Sequence, residues 1–368
     1  MAWYEINDID KIDSPALVIY PDRVKRNITL LKGMIDNIAR IRTHVKSHKT
    51  KEAAYLQIAA GINKFKCATI AEAEMLGMCK AADVLLAYQP VGPKIERFIS
   101  LIVKYPETEF SCLVDSKHTA EAISVAALSH NLQIPVYIDL NVGMNRTGIA
   151  PNQDAIELYI YCAQLKGIKT IGLHAYDGHI HDADYDVRQI KAEAIYELVI
   201  NLQEKIFELS SVKPKVIIGG SPTFPIYALK PDVECSPGTF IYWDINYQQL
   251  FKEQEFDIAA LLVVRVVSLP DDTKICVDLG HKAVAAESDL NKRVAFLNAP
   301  QLQPVSQSEE HLVLEAGKNH PFKPGDVLYG TPFHVCPTVA LHNSGITIEN
   351  AKTTGEWVTI ARNRKINI

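Results

Sequence analysis

The sequence predicts an α/β protein: a (β/α)8 TIM barrel followed by a C-terminal, mostly antiparallel β-domain. From about residue 41 to residue 236, eight short apolar runs alternate with longer helical patterns. Such alternation implies parallel strands joined by right-handed crossovers, and eight strand–helix units close naturally into a barrel. After about residue 245 the helical pattern fades, and apolar runs are separated by segments rich in Gly, Pro, Asn and Asp. This second pattern is typical of antiparallel strands joined by turns.

The predicted elements can be placed along the chain. The eight barrel strands are expected at residues 40–46, 65–70, 83–88, 110–115, 135–141, 168–174, 215–220 and 231–236. Helices between them include residues 70–77, 116–129 and 184–210. The strands of the β-domain are expected at residues 258–268, 274–278, 311–315 and 357–361. The barrel domain then covers residues 13–244, and the β-domain covers residues 245–368, to which residues 1–12 could add one more strand. A doubly wound open sheet remains the structural alternative to a barrel.

Composition narrows the class of protein. The 368 residues are 48% hydrophobic and 22% charged, which predicts a large buried core and argues against disorder. With a net charge of −5 and no long basic run, neither nucleic acid nor a membrane is expected as a partner. The first residues show no secretory signal pattern, and no apolar stretch approaches the ~20 residues of a membrane helix. The seven cysteines include no C-x-x-C pair, so we expect a reduced, cytoplasmic protein.

The carboxyl end of the first predicted strand carries a cluster of basic residues. A barrel enzyme collects its reactive groups at the carboxyl ends of its strands. Here that end reads His44-Val-Lys46-Ser-His48-Lys49. A lysine that forms a Schiff base must be partly neutral near pH 7, and burial beside another cation such as Lys49 favours the neutral amine. Alternation along an extended segment predicts that His44, Lys46 and His48 share one face. The alternative interpretation is a solvated basic loop.

The ends of the fifth and sixth strands add further candidates. Arg146 follows the fifth strand and could hold a phenolate or carboxylate bidentately, or could simply pair with Asp139. The sixth strand ends in His174, Tyr176 and His179, a dense set of acid–base and stacking groups.

The seventh and eighth strands predict a phosphate site. Glycine-rich turns let backbone N–H groups approach a phosphate at the start of a following helix. The candidates after the seventh strand are Gly219, Gly220 and Ser221, and those after the eighth are Gly238 and Thr239. Each segment could equally be an ordinary turn.

The β-domain contains His334-Val-Cys336. On an extended segment these two side chains face the same side and could bind one borderline metal, zinc first. A buried cysteine beside a structural histidine is the alternative.

Four segments together resemble the fold-type III pyridoxal-phosphate (PLP) enzymes with an alanine racemase-like barrel, specifically the D-threonine aldolase and D-serine dehydratase branch. Residues 42–50, Arg-Thr-His-Val-Lys-Ser-His-Lys-Thr, resemble the signature R-P-H-x-K-T-H-K, with Thr43 in place of proline. Residues 143–148 resemble the arginine segment, residues 176–179 the Y-x-G-H segment, and residues 332–339 the C-terminal metal motif. The similarity spans nearly the whole chain.

The resemblance implies roles for these residues. Lys46 would carry PLP, Arg146 would contact its phenolic oxygen, and His334 and Cys336 would bind a divalent metal, with manganese or magnesium as alternatives to zinc. The substrate would be a D-3-hydroxy amino acid, and His179 is the candidate base for its hydroxyl proton. In that family the metal and PLP face each other across the domain boundary, usually within a homodimer.

The same resemblance leaves the reaction open. His-x-Cys resembles the serine dehydratases, whereas the following Pro-Thr-Val resembles the threonine aldolases, which we favour slightly. Ser236 stands where alanine racemases have the arginine that holds the pyridine nitrogen, which argues against racemisation, and Phe240 stands where the branch often has tyrosine. A non-catalytic PLP-binding protein is a further alternative, but such proteins lack the β-domain.

Overall fold

The computed structural model of the protein describes residues 2–368. In chain order, the strands within this range are β1 (Ala16–Ile19), β2 (Arg42–His44), β3 (Lys64–Cys67), β4 (Asp83–Leu86), β5 (Glu109–Val114), β6 (Ile134–Leu140), β7 (Ile168–Ala175), β8 (Lys215–Ile218), β9 (Glu234–Cys235), β10 (Ala260–Ser268), β11 (Lys274–Val277), β12 (Val294–Phe296), β13 (Gln303–Gln307), β14 (Leu312–Glu315), β15 (Val327–Pro332), β16 (Ser344–Glu349) and β17 (Lys352–Val358).

The helices follow the same order. They are α1 (Pro21–Gly33), α2 (Lys51–Ala59), α3 (Ile70–Met78), α4 (Pro93–Lys104), α5 (Lys117–Ser129), α6 (Gln153–Gln164), α7 (Tyr185–Ser210), α8 (Phe224–Tyr227), α9 (Ile245–Leu250) and α10 (Val335–Leu341). Within residues 2–368, no helix is both long and apolar enough to cross a membrane.

The predicted barrel is confirmed. Strands β2 to β9 pair in parallel and in chain order, and a parallel bridge between Ile41 and Cys235 joins the last strand to the first. Each of the eight predicted runs overlaps one of these strands, with starts and ends that differ by up to three residues. Burial explains why the runs could be recognised, since the strands of a barrel are covered by helices on one face and by the filled interior on the other.

The predicted helices are also confirmed, and their first residues are defined by capping side chains. The Ser116 hydroxyl accepts a hydrogen bond from the backbone N–H of Thr119 at the start of α5. The Asp184 carboxylate does the same for the N–H of Val187 at the start of α7. Such caps satisfy N–H groups that have no partner inside the helix.

An ion network lies at the amino ends of the barrel strands. Arg42, with a fully buried side chain, donates two hydrogen bonds of 2.6 and 2.7 Å to the carboxylate of Asp83 and one of 2.8 Å to Glu234. Glu234 also accepts a hydrogen bond from Lys64. These contacts link β2, β3, β4 and β9, so Arg42 of the signature segment is a structural residue of the barrel.

The β-domain is built on a mostly antiparallel sheet. Among the described residues its strands follow the order β13-β14-β11-β10-β1-β16-β17, with β15 pairing β10 and β12. Two strand predictions are wrong here. The N-terminal strand is Ala16–Ile19 instead of residues 1–12, because this apolar segment is buried between β10 and β16 whereas residues 8–13 are largely polar. The last strand is Lys352–Val358, and the predicted strand at residues 357–361 instead leads into a 3-10 turn at Ile360–Arg362.

The two compact units do not follow chain order. The unit that contains the β-domain comprises the chain up to Leu30, Ser47–Ala53 and Thr239–Arg362. The unit that contains the barrel comprises Leu31–Lys46, Ala54–Gly238 and Asn363–Ile368. The predicted division at residue 245 assigned residues 13–30, 47–53 and 239–244 to the barrel, but they group with the β-domain. Residues 363–368, which it assigned to the β-domain, group with the barrel.

Candidate active site

A cavity of about 220 Å³ lies at the carboxyl ends of the barrel strands. It is lined by His44, Lys46, Lys66, Ala68, Ala87, Tyr88, Arg146, Thr147, His174 and Tyr176. The structure therefore brings together Lys46, Arg146, His174 and Tyr176, which the sequence suggested from three separate strand ends. Carboxyl strand ends are where barrel enzymes place their active sites.

Lys46 lies in a tight turn and not on an extended segment. Strand β2 ends at His44, and Val45–Ser47 forms a 3-10 turn in which the Lys46 backbone N–H donates to Nδ1 of His44 at 3.3 Å. The prediction that His44, Lys46 and His48 share one extended face is therefore wrong, because the backbone turns after His44. His48 is buried with Nδ1 3.2 Å from the Thr50 N–H, and burial lowers its pKa to about 3.

Tyr176 lies at the centre of a group of cations. The centroid of its ring is 5.1 Å from the guanidinium carbon of Arg146, 5.6 Å from Nζ of Lys66 and 5.9 Å from Nζ of Lys46. Cations within about 6 Å of an aromatic face are attracted by its quadrupole. The ring also packs on two glycines, since a Cβ atom would lie 2.4 Å from it at Gly178 and 3.1 Å at Gly220.

His174 is held by Asp139. Both side chains are buried, and Nδ1 of His174 lies 2.7 Å from Oδ1 of Asp139. Burial lowers the pKa of His174 despite this hydrogen bond, so the ring is neutral at pH 7, with the Nδ1 proton donated to Asp139. The alternative pairing of Asp139 with Arg146 is not found among the described residues, because His174 takes up the carboxylate.

Lys66 was not among the predicted site residues. It lies on β3 with a buried side chain, and its Nζ is 3.4 Å from Nε2 of His174. Burial lowers the pKa of Lys66 to about 7, and the nearby Lys46 acts in the same direction. The available signal was a lysine inside the buried run 65–70, where an unpaired charge is costly.

The two predicted phosphate segments differ in their contacts. Gly219 has a φ of +77° and donates its N–H to the carbonyl of Ala175 at 2.9 Å. Gly220 donates to the Thr223 hydroxyl at 3.3 Å, and Gly238 donates to the Ser221 hydroxyl at 3.0 Å. The loop after β8 is thus tied to the segment after β9, and a phosphate bound here would compete with these hydroxyls for N–H groups.

Asp177 is hydrogen-bonded to residues that follow β8. Its carboxylate accepts hydrogen bonds from the hydroxyls of Tyr227 at 2.8 Å and Thr223 at 3.1 Å. Burial raises the pKa of Asp177 to about 6, although the hydrogen bonds from the two hydroxyls act in the opposite direction.

The Ser236 hydroxyl is buried and has no hydrogen-bond partner among the described residues. It follows β9 at the position that the resemblance assigns to the pyridine-nitrogen contact. A hydroxyl can donate one hydrogen bond and accept two, so this group fits a ring nitrogen.

His179 is not one of the residues that line the cavity. Its exposed ring rests on Gly143, where a Cβ atom would lie 2.5 Å from Nε2. Partial burial lowers the pKa of His179, and His181 and Lys191 act in the same direction. The structure therefore places the predicted base beside the loop that carries Arg146.

In the β-domain, the sequence predicts His334 and Cys336 on an extended segment. The structure instead places them at the start of a helix. His334 is the N-cap of α10, and Cys336 lies in its first turn. The reason lies in Pro337, which is well suited to a first helical turn, and in Asp244, whose carboxylate accepts a hydrogen bond from the Val335 N–H at 3.1 Å.

The two side chains are nevertheless neighbours. Although burial lowers the pKa of His334, hydrogen bonding to Cys336 and to Glu287 raises it to about 9. Nδ1 of His334 is 2.5 Å from Oε1 of Glu287, which leaves Nε2 as the ring nitrogen for a metal. The sulfur of Cys336 is 3.1 Å from the Ser47 hydroxyl and 3.8 Å from that of Thr239.

These contacts define a pair of donors of the type that zinc accepts. Within residues 2–368, no cluster of three or more His, Cys, Asp or Glu side chains is placed to hold a metal. A metal bound to His334 and Cys336 would therefore take its remaining ligands from water or substrate, as catalytic metals do.

Comparison with known families adds two matches. Residues 19–244 match the family model described as "Alanine racemase, N-terminal domain". Residues 259–348 match the model described as "Putative serine dehydratase domain".

Individual proteins are similar over most of the chain. A D-threonine aldolase of Arthrobacter sp is 24% identical over 361 residues, which cover 96% of this chain and 93% of that protein. A D-threo-3-hydroxyaspartate dehydratase of Delftia sp. (strain HT23) is 24% identical over 75% of this chain and 73% of its own length. The crystal structure of D-threonine aldolase from Filomicrobium marinum matches with a TM-score of 0.86, 25% identity and 95% coverage of both chains.

Proposed function

Because the chain belongs to the family of the alanine racemase N-terminal domain and is a PLP-dependent lyase that acts on D-hydroxy amino acids, we propose that it cleaves D-3-hydroxy amino acids to glycine and an aldehyde. The observation that carries this proposal is the cavity at the carboxyl ends of the barrel strands, which places Lys46 beside Arg146, His174 and Tyr176.

Lys46 is the proposed carrier of PLP. It lines the cavity from the 3-10 turn at Val45–Ser47, and its amine faces the Tyr176 ring. PLP supplies an electron sink for the bond that breaks at the α-carbon of the substrate.

Other residues near Lys46 are proposed to bind and orient the cofactor. Arg146 offers a cation for the phenolic oxygen, and the neutral ring of His174, held by Asp139, offers a flat surface for the pyridine ring. The unpartnered hydroxyl of Ser236 fits the pyridine nitrogen. Gly219, Gly220, Ser221, Gly238 and Thr239 remain the proposed phosphate segments.

His334 and Cys336 are the proposed metal ligands. Their donor set fits zinc, with manganese or magnesium as alternatives, and a metal there would act as a Lewis acid on the substrate hydroxyl. Glu287 would orient the imidazole from its other nitrogen. His179 stays a prediction as the group that takes the hydroxyl proton.

Dehydration is the second candidate reaction. The thiol of Cys336 and the similarity to the Delftia dehydratase favour it, whereas the Pro-Thr-Val segment after Cys336 and the similarity to the two aldolases favour cleavage. A homodimer is also proposed, on the resemblance alone.

Product analysis tests the proposal. The purified protein, supplied with PLP and zinc or manganese, is incubated separately with D-threonine, D-serine and D-threo-3-hydroxyaspartate. Cleavage gives glycine plus an aldehyde, whereas dehydration gives a keto acid plus ammonia. Glycine together with an aldehyde supports the aldolase, keto acid without glycine supports the dehydratase, and no product from any of the three substrates rejects both.

A further inference from the structure

Lys66 is a second amine in the cavity that contains Lys46, and the proposed mechanism gives it no task. Its side chain is 3% exposed, and none of the described residues forms a carboxylate ion pair with it. Lysines are almost never buried in this way without a partner, because removing an unpaired charge from water is costly. Its presence in a cavity therefore points to a chemical role.

The polar neighbour of Lys66 is a neutral histidine that can accept a proton. Nε2 of His174 is 3.4 Å from Nζ of Lys66, while Nδ1 of the same ring is 2.7 Å from Asp139. With its proton on Nδ1, the ring presents the Nε2 lone pair to Lys66. The ammonium form of Lys66 can therefore donate a hydrogen bond to His174. The neutral form carries no charge, so its burial does not cost the free energy of removing a charge from water.

The charged groups around Lys66 shift its pKa in opposite directions. Burial lowers its pKa to about 7; the cations Lys46 and Arg42 also lower it, and the carboxylates Asp139 and Asp177 raise it. An acid–base group is most effective when its pKa lies near the working pH.

We propose that Lys66 is the acid–base group that exchanges the proton at the α-carbon of the substrate in this cavity. The proposal rests on the proposed function. When the bond between the α- and β-carbons breaks, its electron pair remains with the α-carbon, and the Lys66 ammonium donates a proton to form the new C–H bond of glycine. The hydroxyl proton passes to the proposed base His179 and from there to solvent, and neutral Lys66 regains a proton from solvent, so that turnover consumes no net proton.

Proton exchange can be measured without bond cleavage. Glycine and D-alanine have no β-hydroxyl group, so exchange of their α-protons in deuterium oxide, followed by NMR with the PLP-loaded enzyme, reports this step alone. The variants are Lys66→Met, which removes the amine, and Lys66→Arg, which keeps a cation that cannot lose its proton near neutral pH. Lys169→Met, an exposed lysine on β7 of the same barrel, is the matched control.

We expect exchange to fall at least ten-fold in both Lys66 variants and to stay within two-fold in Lys169→Met. Failure of arginine to restore exchange separates proton transfer from a role of charge in positioning. Borohydride should still attach PLP to Lys46 in Lys66→Met, which shows that the cofactor is carried normally.

A second readout does not depend on activity. In PLP-loaded wild-type enzyme with ¹⁵N in the lysine side chains, the Nζ resonance that is missing from Lys66→Arg should titrate near pH 7. A titration above pH 9, exchange within two-fold of wild type in Lys66→Met, or full rescue by Lys66→Arg would each overturn the role of Lys66. If exchange depends on Lys66 but the enzyme does not act on D-3-hydroxy amino acids, the proposed function alone is rejected. If the enzyme cleaves these substrates but exchange is the same without the Lys66 amine, only this inference is rejected.

Discussion

The carboxylate of Asp139 lies 2.7 Å from Nδ1 of His174 and so determines which nitrogen of that ring faces Lys66. The two residues are next to last in the neighbouring strands β6 and β7 and are paired in register. Such carboxylate–imidazole pairs fix both the orientation and the tautomer of a histidine.

Replacing Asp139 with asparagine should therefore lower turnover by changing the tautomer of His174. The amide can donate to Nδ1, which favours the tautomer with its proton on Nε2, facing Lys66. Losing a hydrogen bond to a charged group costs roughly 1.5–3 kcal/mol, so we expect turnover to fall about ten-fold or more. Steady-state kinetics check this, with the exposed Asp272→Asn as control. Turnover within two-fold of wild type would show that the tautomer of His174 does not matter.

Lys46 should be the residue that borohydride links to PLP. The expectation follows from its place in the cavity and from the signature segment. Peptide mapping of the reduced protein gives the answer. A label on Lys49 or Lys66, or on no lysine, would refute the assignment.

Removing the metal should abolish turnover while leaving the PLP absorption intact, because His334 and Cys336 are not among the residues that line the cavity. Cys336→Ala should lose both metal and activity. Cys336→Asp should retain some metal and shift the preference towards harder ions such as manganese. Metal content and kinetics are measured for each variant, with Cys276→Ala as control. Active protein without stoichiometric metal would contradict the metal site.

Asp177 should make the stability of the protein depend on pH. Its pKa is raised to about 6 by burial, so the native state binds more protons than the unfolded state between about pH 4 and pH 6. Stability from this group therefore falls as pH rises through that window, by on the order of 3 kcal/mol, and is constant above it. In urea unfolding, the free energy of unfolding of Asp177→Asn should increase relative to that of wild type as pH rises through this window. A difference between the two proteins that does not change with pH would show that Asp177 stays charged throughout.

Arg42→Met should strongly destabilise the barrel. It leaves the carboxylates of Asp83 and Glu234 without their buried partner, a change that costs about 3–5 kcal/mol. The control is Arg26→Met, which breaks the more exposed pair with Asp257 and should cost about 1 kcal/mol or less. Comparable unfolding free energies for the two variants would mean that the network in the barrel contributes little.

Local geometry set the limit of what the sequence could predict at the site. The strand ends were identified because buried strands are apolar, and this located Lys46, Arg146, His174 and Tyr176. The turn at Val45–Ser47 and the helix after His334 were missed, since three-residue turns and seven-residue helices are too short for periodicity to distinguish. Residues 13–30 could not be assigned to the β-domain because the strand pairing of Ala16–Ile19 depends on segments more than 200 residues away.

The sequence by itself determined the strand–helix alternation, and with it the barrel, the strand ends and the lysine motif, because burial on a repeating backbone leaves a periodic pattern along the chain. Only the tertiary structure decided which of those ends meet. Lys66 and His174 are separated by 108 positions, and Cys336 and Ser47 by 289. Periodicity reports which side of an element is covered, whereas such contacts arise when the barrel closes and the β-sheet assembles, so no local pattern in the sequence encodes them.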